Sequence, residues 1–65
     1  MEQTAIRLRS CRDRLEELEE QIRQERRRRD DLVVAARDDE GLGYNAIARI
    51  AGVSKSRVIA ILAAN

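Results

Sequence analysis

The residues best suited to chemistry stand together near the C-terminus, in the segment GVSKSR at residues 52–57. Gly52 and Val53 precede Ser54, whose hydroxyl is a preferred acceptor at the start of a helix, and Lys, Ser and Arg follow. Hydrogen-bond donors and positive charge of this kind contact phosphates and the edges of bases. The segment therefore predicts the exposed first turn of a short basic helix that binds an anionic partner.

Residues for catalysis or metal binding are missing from the rest of the sequence. The 65 residues include no His and a single Cys, Cys11, which has no second cysteine to pair with inside the chain. Asp38, Asp39 and Glu40 are consecutive and lack the spacing of a catalytic carboxylate pair. We therefore expect no enzymatic activity, no metal, no cofactor and no small-molecule ligand.

The elements that position the basic segment are predicted to be helices. Charged residues make up 38% of the chain, and Pro, Trp and Phe are absent, which suits long helices better than a sheet. A chain of 65 residues has only a marginal core of its own, so a second copy is expected to add stability. Without an apolar leader or a long apolar run, the expected location is the cytoplasm, not a membrane.

Charge is distributed unevenly along the chain. The formal net charge is only +1, yet residues 41–65 contain two Arg, one Lys and no acid. Residues 30–40 carry five acids against one Arg, and residues 23–29, RQERRRR, carry five Arg against one Glu. The C-terminal third is thus a basic, acid-free unit, which is typical of a nucleic-acid-binding head. Some arginines of RQERRRR are expected to pair with neighbouring acids.

A single helix is predicted from Thr4 to Glu40, because this stretch lacks Gly and Pro and is rich in strong helix formers. Its apolar residues alternate in steps of three and four, the heptad pattern of a coiled coil, with Glu25 and Arg29 as an interruption. We name these positions the α1 seam: Leu8, Cys11, Leu15, Leu18, Ile22, Leu32 and Ala36. The seam predicts a homodimer, parallel or antiparallel; the alternative is a lone helix folded on its own head.

The segment LVVAA at residues 32–36 is apolar around the whole helix circumference, so more than one side must be covered. We expect it to pack against the C-terminal head on one side and to face a partner chain on the other. The predicted organisation is a coiled-coil dimerisation helix over 1–30 and a helix-turn-helix head over 31–65, whose first helix continues the coiled coil.

Glycines divide the remaining segment into two short helices. Gly41 is expected to end the long helix in a left-handed conformation, and Gly43 to cap a helix over 44–51. Gly52 allows a turn before a third helix over 55–63, capped by Ser54. The expected core residues are Ile47, Ala48, Ala51, Val53, Val58, Ile61 and Leu62.

The spacing of Ala48, Gly52, Val53, Val58 and Ile61 resembles the helix-turn-helix of prokaryotic DNA-binding proteins. It is most similar to region four of bacterial sigma factors and to the C-terminal heads of DNA invertases. The resemblance covers roughly residues 42–62. It implies an all-α fold in which the last helix lies in the major groove of double-stranded DNA.

The resemblance also implies which side chains face DNA. Lys55 and Ser56 would lie near base edges, and Ala60 would touch a thymine methyl. The other candidates approach phosphates or the DNA backbone, and they are Ser54, Arg57, Tyr44, Asn45 and Arg49. The expected function is that of a dimeric transcriptional regulator from a prokaryote or phage, associated with the nucleoid.

Two alternatives stay open at this point. The first is a weakly specific architectural protein, or a plasmid or phage partition protein. It stays open because the third helix carries Ile59, Ala60 and Ala63 at positions where helix-turn-helix proteins often place long polar side chains that read bases. The second is a protein-interaction adaptor that acts through the coiled coil.

Overall fold

Three α-helices form the fold in the computed structural model, which describes residues 2–64. They are α1 (Glu2–Asp38), α2 (Tyr44–Ala51) and α3 (Lys55–Ala63), and no strand occurs within residues 2–64. The predicted all-α fold, with a long N-terminal helix followed by two short ones, is confirmed. The two predicted units cover residues 1–30 and 31–65, and their end residues, Met1 and Asn65, lie outside the described residues.

Helix α1 dominates the shape, which is 57 Å long and 17 Å in each of the other two directions. It starts and ends two residues earlier than the predicted 4–40. At the C-terminal end, the Asp39 N–H still donates to the Ala35 carbonyl at 2.8 Å, but residues 39–40 already form a turn. The Gly41 N–H donates to the Arg37 carbonyl and the Leu42 N–H to the Ala36 carbonyl, both at 3.1 Å. Gly41 takes φ of 67° and so turns the chain toward α2.

A second left-handed glycine connects α2 to α3. Gly52 has φ of 71° and ψ of 32°, and its N–H donates to the Ala48 carbonyl. The Val53 N–H donates to the same carbonyl at 3.1 Å, so the Ala48 carbonyl near the end of α2 accepts two hydrogen bonds from the turn. This is the turn that the sequence predicted for Gly52.

We expect Gly52→Val to lower the free energy of unfolding by about 1–3 kcal/mol, because a β-branched residue is strained at positive φ. A Cβ at Gly52 would meet no atom within 4 Å, so the loss reports backbone conformation and not a clash. Denaturant unfolding at fixed protein concentration measures it. Gly43→Ser is the matched control: Gly43 has φ of −77°, which any residue adopts, and a change of only a few tenths of a kcal/mol is expected there. Equal stability of the Gly52→Val and parent proteins would contradict the prediction.

The core of the head joins all three helices. Among the described residues, five side chains are buried: Val33, Ile47, Val58, Ile61 and Leu62. Val58, at 0% exposure, is the most enclosed. Half-buried side chains complete the core: Val34, Ala36, Leu42, Ala48, Ala51 and Val53. All seven predicted core residues thus lie in or against it, and Val33 is added from α1.

The segment 32–36 shows on which side of α1 the head packs. Val33 is 3% exposed and Val34 is half-buried against the core, whereas Leu32 remains 59% exposed. The head therefore covers one side of α1 and leaves the side of Leu32 open. The first of the two roles predicted for LVVAA is confirmed, and its contact with a partner chain stays a prediction.

Helix α1 runs without interruption across the predicted boundary between residues 30 and 31. The chain is therefore divided by packing and not by a break in the helix: the side chains of α1 are exposed up to Arg28, and shielding by the head begins at Arg29. Within residues 2–64, no helix has the length and apolar content needed to span a bilayer.

Candidate nucleic-acid interface

The first turn of α3 is built around the cap that Ser54 provides. Ser54 has extended backbone angles, and its Oγ accepts a hydrogen bond from the Arg57 N–H at 3.1 Å. Lys55, Ser56 and Arg57 are all exposed. The cap holds this turn in helical geometry, so three polar side chains and the positive end of the helix dipole face solvent together.

The outer face of α3 is formed by small side chains. Ser56, Ala60 and Ala63 recur at helical spacing and are exposed, on the side of α3 opposite the buried Val58 and Leu62. Short side chains let the helix backbone come close to a partner surface. They also leave few hydrogen-bonding groups on α3 beyond its first turn.

Residues 41–65 of the head present their positive charges without acidic partners among the described residues. Among the described residues, no ion pair involves Arg49, Lys55 or Arg57. Residues 41–65 contain no acid of their own that could pair with these cations. A cation that is not paired within its own chain keeps its full charge for an anionic ligand.

The remaining candidates lie on α2. Tyr44 is 44% exposed, and Asn45 and Arg49 are also exposed. Asn45 and Arg49 are four residues apart and therefore share one side of α2. The structure thus leaves all eight predicted DNA-binding residues accessible, four from the Ser54–Arg57 turn and Ala60 on α3, and three on α2.

The arginine-rich segment of α1 is only partly neutralised. The Arg23 Nε donates to a Glu20 carboxylate oxygen at 2.9 Å, and Arg29 pairs with Asp30 at 3.1 Å. Hydrogen bonds and charge from Arg23 lower the pKa of the Glu20 carboxyl below its ordinary value. Among the described residues, Arg26, Arg27 and Arg28 form no ion pair. Like Arg7 and Arg9, these three arginines carry a positive charge that no ion pair within residues 2–64 neutralises.

The α1 seam is open to solvent over most of its length. Its large apolar members are exposed, from 37% at Leu18 to 66% at Leu8, and Cys11 is an exposed free thiol. Ala36 differs from the others because it is half-buried against the core of the head. No other element of the described chain covers residues 8–22 of the seam, because the head packs only on the C-terminal part of α1.

One exposed residue was not assigned a role from the sequence. Ile50, on α2, is 78% exposed, the highest value among the large apolar side chains of residues 2–64. It forms one wall of a groove of about 640 Å³ between α1 and α2, opposite Ile22 and Leu32 of the seam. The sequence did contain a signal for this surface. Ile50 follows the predicted core residue Ile47 by three positions, so α2 carries a second large apolar side chain beside its core face.

The described residues contain no cluster of His, Cys, Asp or Glu able to hold a metal ion. Compared with known proteins, the chain matches no family model, no curated protein and no solved structure.

Proposed function

We propose that the protein is a dimeric DNA-binding regulator whose helix α3 enters the major groove. The observation that carries the proposal is the capped, exposed first turn of α3, where Lys55 and Arg57 have no ion-pair partner among the described residues. In a helix-turn-helix, this end of the second helix is the one that contacts base edges. The resemblance to sigma-factor region four and to invertase heads supports the same placement. Such a protein acts at the nucleoid of a prokaryotic or phage-infected cell.

Each polar group of the turn has a suitable chemical role. The Lys55 ammonium and the Ser56 hydroxyl donate to acceptors on base edges, and the Ala60 methyl packs against thymine. Arg57 and the N-terminal end of α3 neutralise phosphates, as Tyr44, Asn45 and Arg49 do from α2. The small outer face of α3 allows the helix to approach the groove closely.

Dimerisation through the α1 seam completes the proposal. One head offers few contacts, so its affinity alone would be low. Two heads joined by α1 convert the second contact with the duplex into an intramolecular event, which raises affinity by a large factor. Heads at the same end of a parallel pair would read half-sites about one DNA turn apart, with inverted-repeat symmetry.

The proposal is tested by selecting bound sequences from a random duplex pool and then measuring affinity for the selected site and a scrambled duplex over a range of salt concentrations. We expect enrichment of an inverted repeat, and a steep loss of affinity with salt because phosphate contacts release counterions. No binding to any duplex at low salt would overturn the proposal and favour a protein-interaction adaptor.

Substitutions in the α3 turn should separate base reading from phosphate binding. Lys55→Ala and Ser56→Ala should change which duplexes bind best, because one good base contact discriminates by about 1–3 kcal/mol. Arg57→Ala should weaken all duplexes alike and reduce the salt slope by about one. Fluorescence anisotropy on matched and single-mismatch duplexes gives both quantities. An unchanged mismatch profile for Lys55→Ala would count against the placement in the groove.

A second candidate function has its own supporting observation. Ile59, Ala60 and Ala63 are exposed on α3 but cannot form hydrogen bonds with bases. A head of this kind suits a weakly specific architectural or partition protein, which binds mainly through phosphates. Equal affinity for the selected and scrambled duplexes, with the same salt slope, would favour it over the regulator.

A further inference from the structure

The groove between α1 and α2 continues the α1 seam into the head. Ile22, Leu32 and Ala36 of the seam form its floor on α1, and Leu42, Ile47 and Ile50 of the head close its other side. We infer that a second copy of the chain occupies this groove, and that Ile50 of each head packs against α1 of a parallel partner. The inference rests on the proposed dimer and extends it to α2.

Continuity of the two surfaces identifies the occupant. Ile22 and Leu32 belong both to the heptad pattern and to the groove. A helix that covers the seam at Leu15 and Leu18 and runs on along α1 must therefore pass Ile50. The spacing of three and four residues requires a partner helix with the same spacing, and α1 of a second copy has it. Because each copy carries the same groove, a symmetric pair closes both at once.

The charged residues at the groove favour the parallel direction. Glu25 and Arg29 line it and are adjacent members of the heptad pattern. In a parallel pair, Glu25 and Arg29 each face the same residue of the partner, and each of these like-charge layers is next to a layer of opposite charge. In an antiparallel pair centred near Glu20, Glu25 and Arg29 face the partner's Leu15 and the partner's Cys11. Burial of a charge against an apolar side chain is costly, so the parallel pair is preferred.

The candidate DNA surface stays free in this arrangement. The groove is lined by α1, α2 and the turn between them, and α3 contributes no residue to it. A partner in the groove would hold α2 directly, so each head would be fixed to the dimer and not attached only through the length of α1. The two α3 helices would then have a set separation and orientation.

Burial of position 50 is measured with a tryptophan, since the chain has none of its own. The emission of Ile50→Trp should shift to shorter wavelength as concentration is raised through the range in which sedimentation shows dimers. Ile59→Trp is the matched control, because Ile59 is also exposed, at 45%, but lies on α3 outside the groove. Its emission should stay constant. Constant emission of Ile50→Trp during dimerisation would overturn the inference.

A charge at position 50 tests whether the contact in the groove stabilises the dimer. Ile50→Asp should raise the dimer dissociation constant at least about tenfold, and Ile59→Asp should leave it unchanged. The fold of Ile50→Asp is expected to survive, because the side chain is exposed in the single chain, and circular dichroism checks this. If the parent dimerises and Ile50→Asp does so equally well, the groove is not part of the interface, although the proposed dimer stands. A parent that is monomeric at every concentration overturns both.

The direction of pairing is read from spin labels on Cys11, which is exposed. Parallel helices place the two labelled backbones about 10 Å apart, the usual distance between packed helices. Antiparallel pairing centred near Glu20 separates them by roughly 27 Å along the axis. A label distance beyond about 20 Å would overturn the parallel placement.

Discussion

Replacement of both Leu15 and Leu18 by Glu should weaken binding to duplex DNA by about 100-fold or more. Both side chains are exposed on the single chain, at 55% and 37%, so the change removes no contact inside the head. It places four negative charges in the seam of a dimer, where burial without partners is strongly unfavourable. The variant should be monomeric, and each head then loses the effective concentration that its tethered copy provides, a factor of about 10²–10⁴.

Sedimentation gives the mass of this variant, and anisotropy at fixed salt gives its affinity for the selected duplex. The matched control is Ser10→Glu with Gln24→Glu, which adds the same charge at exposed positions of α1 outside the seam. That control should stay dimeric and bind DNA with nearly the parent affinity, apart from a small electrostatic loss. A monomeric Leu15→Glu, Leu18→Glu variant that keeps the parent affinity would disprove the role of the dimer in DNA binding.

Val58→Asp should unfold the head and abolish DNA binding. Val58 is fully buried where the three helices meet, and no polar or charged side chain is buried among the described residues. A carboxylate there has no partner, so the expected loss of stability exceeds about 4 kcal/mol, which is a large part of what a small domain possesses. The helical signal of α2 and α3 should disappear while α1 keeps its own in the dimer.

Ile59→Asp is the control for Val58→Asp, because it introduces the same charge one residue later at a side chain that is 45% exposed. Its unfolding free energy should change by no more than about 0.5 kcal/mol. Circular dichroism and the dispersion of amide NMR signals distinguish the two variants. A Val58→Asp protein with native dispersion would show that the head is not packed as described.

Local signals in the sequence were sufficient for the helices and their ends. The absence of Gly and Pro before Gly41 gave one long helix, and only its ends shifted, to Glu2 and Asp38. The sequence predicts a left-handed Gly41, a turn at Gly52 and a cap at Ser54, because backbone conformation and capping depend on near neighbours in the chain. The structure has all three, and it adds that Gly52 is left-handed too. The bounds of α2 and α3 were predicted without error.

Burial on α1 was harder to predict. The segment 32–36 is apolar on every side, so periodicity could not show which side chain would face the head. Val33 took that place, and Leu32 stayed exposed, because the two turns at Gly41 and Gly52 set the direction from which α2 and α3 return. That direction is a property of the folded chain.

By itself, the sequence determined the all-α fold, the heptad seam, and the acid-free basic turn that carries the proposed DNA contacts. These depend on residue type and on spacing of a few positions, which are local quantities. The tertiary structure alone decided that Val33 joins the core, and that Ile50 stands beside the seam as the wall of a groove. The physical reason is that Ile22 and Ile50 line one groove only because of the packing between helices, whose geometry no local pattern encodes.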